Sequence, residues 1–217
     1  RPPVLLYNGR PKFRQDVHHA VLDLDLDNKD LQQCADAVIR LRAEYLFAQN
    51  RLSDIHFNFT SGDTARFSEW AQGRRPIVSG NNVRWEHRAQ PDHSYPNFRR
   101  YLQTVFTYAG TASLAAELEP VPDIDDMRIG DIFIKPGFPG HAVIVLNMAA
   151  HPQTGKKLFL IAQSYMPAQQ IHILKNLEKP DLTPWYPLDF GHTLATPQYT
   201  FTKDQLMRFP DPDNADN

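Results

Sequence analysis

Apolar positions recur at helical spacing from Asn28 to Leu46, where Leu31, Cys34, Ala35, Val38, Leu41, Tyr45 and Leu46 fall together and either Asn28 or Asp30 can cap the start. The same period returns near Asn97 and runs through Phe98, Tyr101, Leu102, Val105, Phe106, Tyr108 and Ala109 toward Leu118, with Pro120 and Pro122 ending it. Between these helices the pattern changes. Ala20–Asp27 alternates apolar and acidic residues and predicts a half-exposed strand, and Ile55–Thr60 predicts a short strand closed by Ser61-Gly62-Asp63. The polar stretch with Arg74-Arg75-Pro76 and Gly80-Asn81-Asn82 reads as an irregular excursion.

The later half is β-rich. Ile129–Leu146 holds two apolar runs joined by Pro136-Gly137-Phe138-Pro139-Gly140, which predicts a hairpin whose second strand opens on His141. Lys157–Tyr165 predicts a third strand, interrupted by the polar Gln163, and Ile171–Leu174 a fourth. A Pro-rich remainder carries Trp185, Tyr186 and His192, and residues 210–217 lack apolar content and are expected to form a disordered tail. Strand, helix, mixed insertion, second helix and antiparallel meander make an α+β chain, expected as one decorated domain over residues 1–209.

Composition narrows the classes. The chain has 217 residues, 41% hydrophobic, with a formal net charge of −2, enough for one core and without a basic footprint for nucleic acid. No apolar run approaches the ~20 residues of a membrane span. One cysteine excludes an internal disulfide and is too few for a cysteine-rich metal site. Asp23, Asp25 and Asp27 resemble the start of a calcium loop, but Asn28 and Cys34 stand where glycine and glutamate are needed. His18, His19, His56, His87 and His93 show no helix-face ligand spacing, so no metal is expected. Trp70, Trp85, Trp185 and Tyr186 fit a sugar or peptide groove or simple packing.

What remains is Cys34 near a helix N-terminus, where unpaired N–H groups and the helix dipole favour thiolate. A buried small hydrophobe is the plainer alternative for a lone cysteine. The competing residues at the third strand are Gln163, whose amide can orient an imidazole, and Ser164.

Helix-borne Cys34, Gly130-Asp131-Ile132-Phe133, Gly140-His141-Ala142-Val143-Ile144-Val145 and Gln163 together resemble the papain-like cell-wall hydrolases of the NlpC-like and CHAP types. A wider string, with Gln33-Cys34-Ala35-Asp36-Ala37, His56-Phe57-Asn58-Phe59-Thr60-Ser61-Gly62 and Ala162-Gln163-Ser164-Tyr165-Met166-Pro167, resembles a bacterial domain family of unknown function. The first resemblance implies a papain-like core with an insertion over about 60–125, and the catalytic set Cys34, His141 and Gln163. Gln33, Tyr7, Ser164 and Tyr165 would meet the substrate, with Gln33 or Tyr7 helping the Cys34 N–H to hold the oxyanion. It further implies amide hydrolysis of peptidoglycan through a thioester, in the periplasm or after secretion, without a cofactor. An immunity or regulatory protein is a candidate partner. Three features depart from that pattern: Ala35-Asp36 follows the cysteine where Ser-Gly is usual, the separation from Cys34 to His141 is about twice that of compact members, and the third residue is glutamine. A thioesterase or acyltransferase, and a silent binding module on the same fold, are the rival expectations.

Overall fold

In the computed structural model, which describes residues 2–210, strand β1 (His18–Val21) leads through an irregular segment into helix α1 (Cys34–Ala48). A hairpin of β2 (His56–Asn58) and β3 (Thr64–Arg66), the short helix α2 (Phe67–Ala71) and a hairpin of β4 (Arg74–Ser79) and β5 (Asn82–His87) follow. Helices α3 (Tyr95–Tyr108) and α4 (Thr111–Glu117) precede β6 (Glu119–Pro120), β7 (Ile132–Lys135), β8 (His141–Ala150), β9 (Lys157–Gln163) and β10 (His172–Leu174). The C-terminal part supplies β11 (Tyr186–Pro187), β12 (Thr193–Ala195), β13 (Thr200–Thr202) and β14 (Leu206–Arg208). The expected tail falls, beyond Pro210, outside the described residues.

Eight strands form one antiparallel sheet in the order β1-β10-β9-β8-β7-β14-β6, with β11 also paired to β9. The fold is therefore mixed α and β with a mostly antiparallel sheet. Both faces of its centre are buried, and side chains alternate between them. Ile132, Ile134, Ala142 and Ile144 pack in the layer of α1, α3 and α4. Phe133, Val143, Val145, Phe159 and Ile161 pack in an opposite layer completed by Tyr186, Leu194, Phe201 and Leu206. That two-sided burial explains why β7 and β8 read as nearly continuous apolar runs.

Four expectations are corrected. First, α1 begins at Cys34 and not at Asn28 or Asp30: residues 28–33 are held in turns, and the Gln33 N–H donates to Asp36 Oδ2 at 3.0 Å as the helix opens. Asp30 instead accepts from the Ala168 N–H at 2.6 Å. Second, the strand expected over Ala20–Asp27 ends at Val21. Its later aspartates serve arginines: Asp25 pairs with the fully buried Arg40, and Asp27 accepts from Arg99 at 3.0 Å. Third, the long second helix is two helices, because Ala109 and Gly110 are extended and the Gly110 N–H donates to Ser113 Oγ at 3.0 Å to start the next. Fourth, the polar excursion is the β4–β5 hairpin, turned at Gly80-Asn81 with Gly80 at φ 58°.

Candidate functional site

Cys34 is the first residue of α1, so its N–H and those just after it have no partner within the helix. The sulfur sits in a cleft of about 250 Å³ whose walls include Gln33, Asp36, Phe106, Gly110, Thr111, Phe138, Gly140 and Met166. Phe138 and Met166 are exposed at its rim. Two larger cavities, of about 520 and 570 Å³, lie around Arg42 and carry neither Cys34 nor His141 among their described walls.

Burial is the largest influence on the thiol and pushes its pKa up, and the neighbouring Asp36 adds to that. The N–H groups of Ala35 and Ala142 act on the sulfur in the opposite sense. Burial thus acts against the thiolate that the helix terminus favours. Asp36, 6% exposed, has one oxygen on the Gln33 N–H and the other without a hydrogen-bond partner among the described residues. Burial raises its carboxyl to about 8, so it is protonated at neutral pH.

His141 opens β8, as the spacing predicted. Its Nε2 lies 2.8 Å from Gln163 Oε1, and both side chains are 1% exposed. Tyr165, Tyr199 and Phe201 surround the ring, with centroids 5.0, 5.1 and 6.0 Å away. Burial drives the imidazole down to about 4, against the pull of the Gln163 hydrogen bond, and the positive charge of Lys12 lowers it further. By strand alternation His141 projects with Val143 and Val145 toward the C-terminal layer, whereas Ala142 projects toward α1. Cys34 therefore meets β8 at the backbone of the residue after His141. Among the described residues no hydrogen bond joins thiol to imidazole.

The other expected residues divide in the same way. Gln33 lines the cleft, its amide donating to Asp30 Oδ1 at 3.3 Å. Tyr165 packs on His141. Tyr7 is not among the described cleft residues, and its N–H donates to the Ala168 carbonyl at 2.8 Å. Ser164 is fully buried with its hydroxyl 2.8 Å from the Gln32 and Gln169 carbonyls, which ties the entry of α1 to the loop after β9. The structure thus places Gln163, and not Ser164, on the imidazole.

Sequence reasoning missed Lys12, Gln198, Tyr199 and Phe201, which converge on the Gln163 side of the ring from both ends of the chain. Gln163 Nε2 donates to Gln198 Oε1 at 2.6 Å, and Lys12 Nζ donates to the same oxygen at 2.8 Å. No local pattern marks them, because they lie outside the large sheet, in the segment before β1 and around the start of β13, and only the folded chain brings them beside Gln163.

These features define an α+β protein with a helix-terminal cysteine beside a buried imidazole–amide pair. The chain belongs to the family described as Domain of unknown function (4846), whose model matches residues 1–208. It matches no curated protein and no solved structure. No helix among the described residues is long and apolar enough to cross a membrane.

Proposed function

We propose that the protein is a cysteine amidase or peptidase with a papain-like core, acting on an amide bond of peptidoglycan. The observation that carries this reading is the position of Cys34: first residue of a helix, lining a cleft, with the backbone N–H of Ala142, next to His141, against its sulfur. The reaction requires the imidazole of His141, which rests turned toward the C-terminal layer, to reach the sulfur and take the thiol proton as sulfur attacks the amide carbonyl. The imidazolium then protonates the leaving amine as the C–N bond breaks, and a thioester remains. Water, losing its proton to the same imidazole, attacks the thioester and releases acid and thiol. The Cys34 N–H and the Gln33 amide, both at the cleft, would hold the developing oxyanion, and Gln163 would hold the ring.

The walls favour a peptide over a lipid conjugate, since Asp30, Gln33, Asp36 and Thr111 alternate with Phe106, Phe138 and Met166. A stem peptide of the cell wall fits that mixture. The enzyme would then work in the periplasm or after secretion, where an immunity or regulatory protein could oppose it. One observation favours a second reading, a silent module that holds wall fragments in the same cleft: burial opposes charge on both thiol and imidazole, and among the described residues the two are not hydrogen-bonded to each other.

Digestion of purified peptidoglycan, read as new amine termini and muropeptide masses, separates the two. The hydrolase reading expects products from the native chain and a loss of ~10³-fold or more in Cys34→Ala and His141→Ala with unchanged melting. Binding without products in all three proteins would establish the silent module.

A further inference from the structure

We propose that Lys12 and Gln198 are positioning residues that fix which ring nitrogen of His141 is free to act as a base. An ammonium has three donors and no acceptor. Lys12 Nζ lies 2.8 Å from Gln198 Oε1, so Gln198 must present oxygen to it. That oxygen is also 2.6 Å from the Gln163 side chain, which must therefore present its Nε2. The amide of Gln163 is then turned so that its oxygen faces His141, 2.8 Å from the ring Nε2. An amide oxygen only accepts, so Nε2 carries the proton and the lone pair is left on Nδ1.

The other side of Lys12 agrees with this polarity. His172 Nε2 lies 3.4 Å from Lys12 Nζ and its Nδ1 lies 2.9 Å from the Gln170 carbonyl. A carbonyl requires the proton on Nδ1, which leaves His172 Nε2 to accept from the ammonium. One buried cation, 7% exposed, thus sets the direction of hydrogen bonds on both sides. Lys12 has no carboxylate hydrogen-bonded to it among the described residues, and its charge is spent on an amide and an imidazole. Burial brings its pKa down to about 8, so the ammonium persists at neutral pH.

The catalytic meaning rests on the reading of His141 as the base, but the tautomer does not. Two-bond ¹H–¹⁵N spectra of histidine-labelled protein at pH 7, with His141 assigned by its loss in His141→Asn, report the tautomer directly. The expected result is Nε2–H in the native chain, a large Nδ1–H population in Lys12→Met and Gln198→Leu, and Nε2–H again in Gln198→Glu. In the last variant a carboxylate accepts from both neighbours. Gln198 is only partly buried, in the loop before β13, so its variants decide the matter if Lys12→Met fails to fold. An Nδ1–H tautomer in the native chain, or an unchanged tautomer in the folded variants, overturns the proposal. A correct tautomer with an inert Cys34 would count against the hydrolase reading and leave this one standing.

Discussion

Gly140 has no room for a side chain. A Cβ there would lie 2.4 Å from the Gly137 carbonyl and from Thr111 Oγ1, and 2.9 Å from the Lys135 carbonyl. The glycine before His141 is required by packing rather than by backbone torsion, and it lets the start of α4 close against the loop that carries the imidazole. Thr111 Oγ1 donates to the Gly137 carbonyl at 3.1 Å across that contact. Gly140→Ala is therefore expected to cost roughly 1–3 kcal/mol, since backbone must move, and, on the hydrolase reading, to lower activity by displacing His141. Urea unfolding checks the first part, and an unchanged midpoint would mean that the loop yields freely. At this scale the sequence was informative: Cys34, His141 and Gln163 stood out as polar or reactive residues in apolar elements. Lys12 and Gln198 were illegible, because each lies in a segment without periodicity and acquires meaning only beside the other.

The start of α1 is the element on which the site turns. Its opening at Cys34 depends on Asp36, which caps Gln33 while remaining protonated in the interior. An unfolded aspartate has a pKa of ~3.9, so from about pH 4 to about 8 the folded chain keeps a proton that the unfolded chain releases. Stability from this group therefore falls as pH rises through that window. Asp36→Asn keeps the accepting oxygen and removes the titration. Relative to the native chain the variant should gain about 1.4 kcal/mol per pH unit between pH 5 and 7, measured by urea unfolding at each pH. A difference independent of pH would mean that Asp36 is ionised in the fold. The helix itself was legible from its period, but its first turn was misplaced. Asn28 and Asp30 are good caps by type, yet Asp30 is drawn to Ala168, and the segment before Cys34 is held by Arg40, which donates to the Asp25 carbonyl and to Gln32 Oε1.

At the scale of the whole molecule, the antiparallel meander followed from the period and turn signals of residues 129–174, and its two-sided burial from their unbroken apolar runs. Two pieces were misread. The β4–β5 hairpin is one: among the described residues its polar strands pair only with each other, so they carry no apolar run to mark them. The C-terminal segments are another: they supply the layer over His141 although their sequence reads as a Pro-rich coat. That layer carries the main consequence for chemistry. It desolvates the imidazole, and burial likewise opposes charge on the thiol, so on the hydrolase reading proton transfer would accompany the attack itself.

The pH dependence of Cys34 alkylation by iodoacetamide, followed by intact mass in the native chain and in His141→Ala, tests this directly. With a base that loses its proton near pH 4 and a thiol above the free value of ~8.5, the native rate should be flat from about pH 5 to 8. In His141→Ala it should fall about tenfold for each unit of decreasing pH, because only the free thiolate then reacts. A native rate that already follows thiolate ionisation, unchanged by the loss of His141, would contradict the account and leave the cleft as a binding site without chemistry.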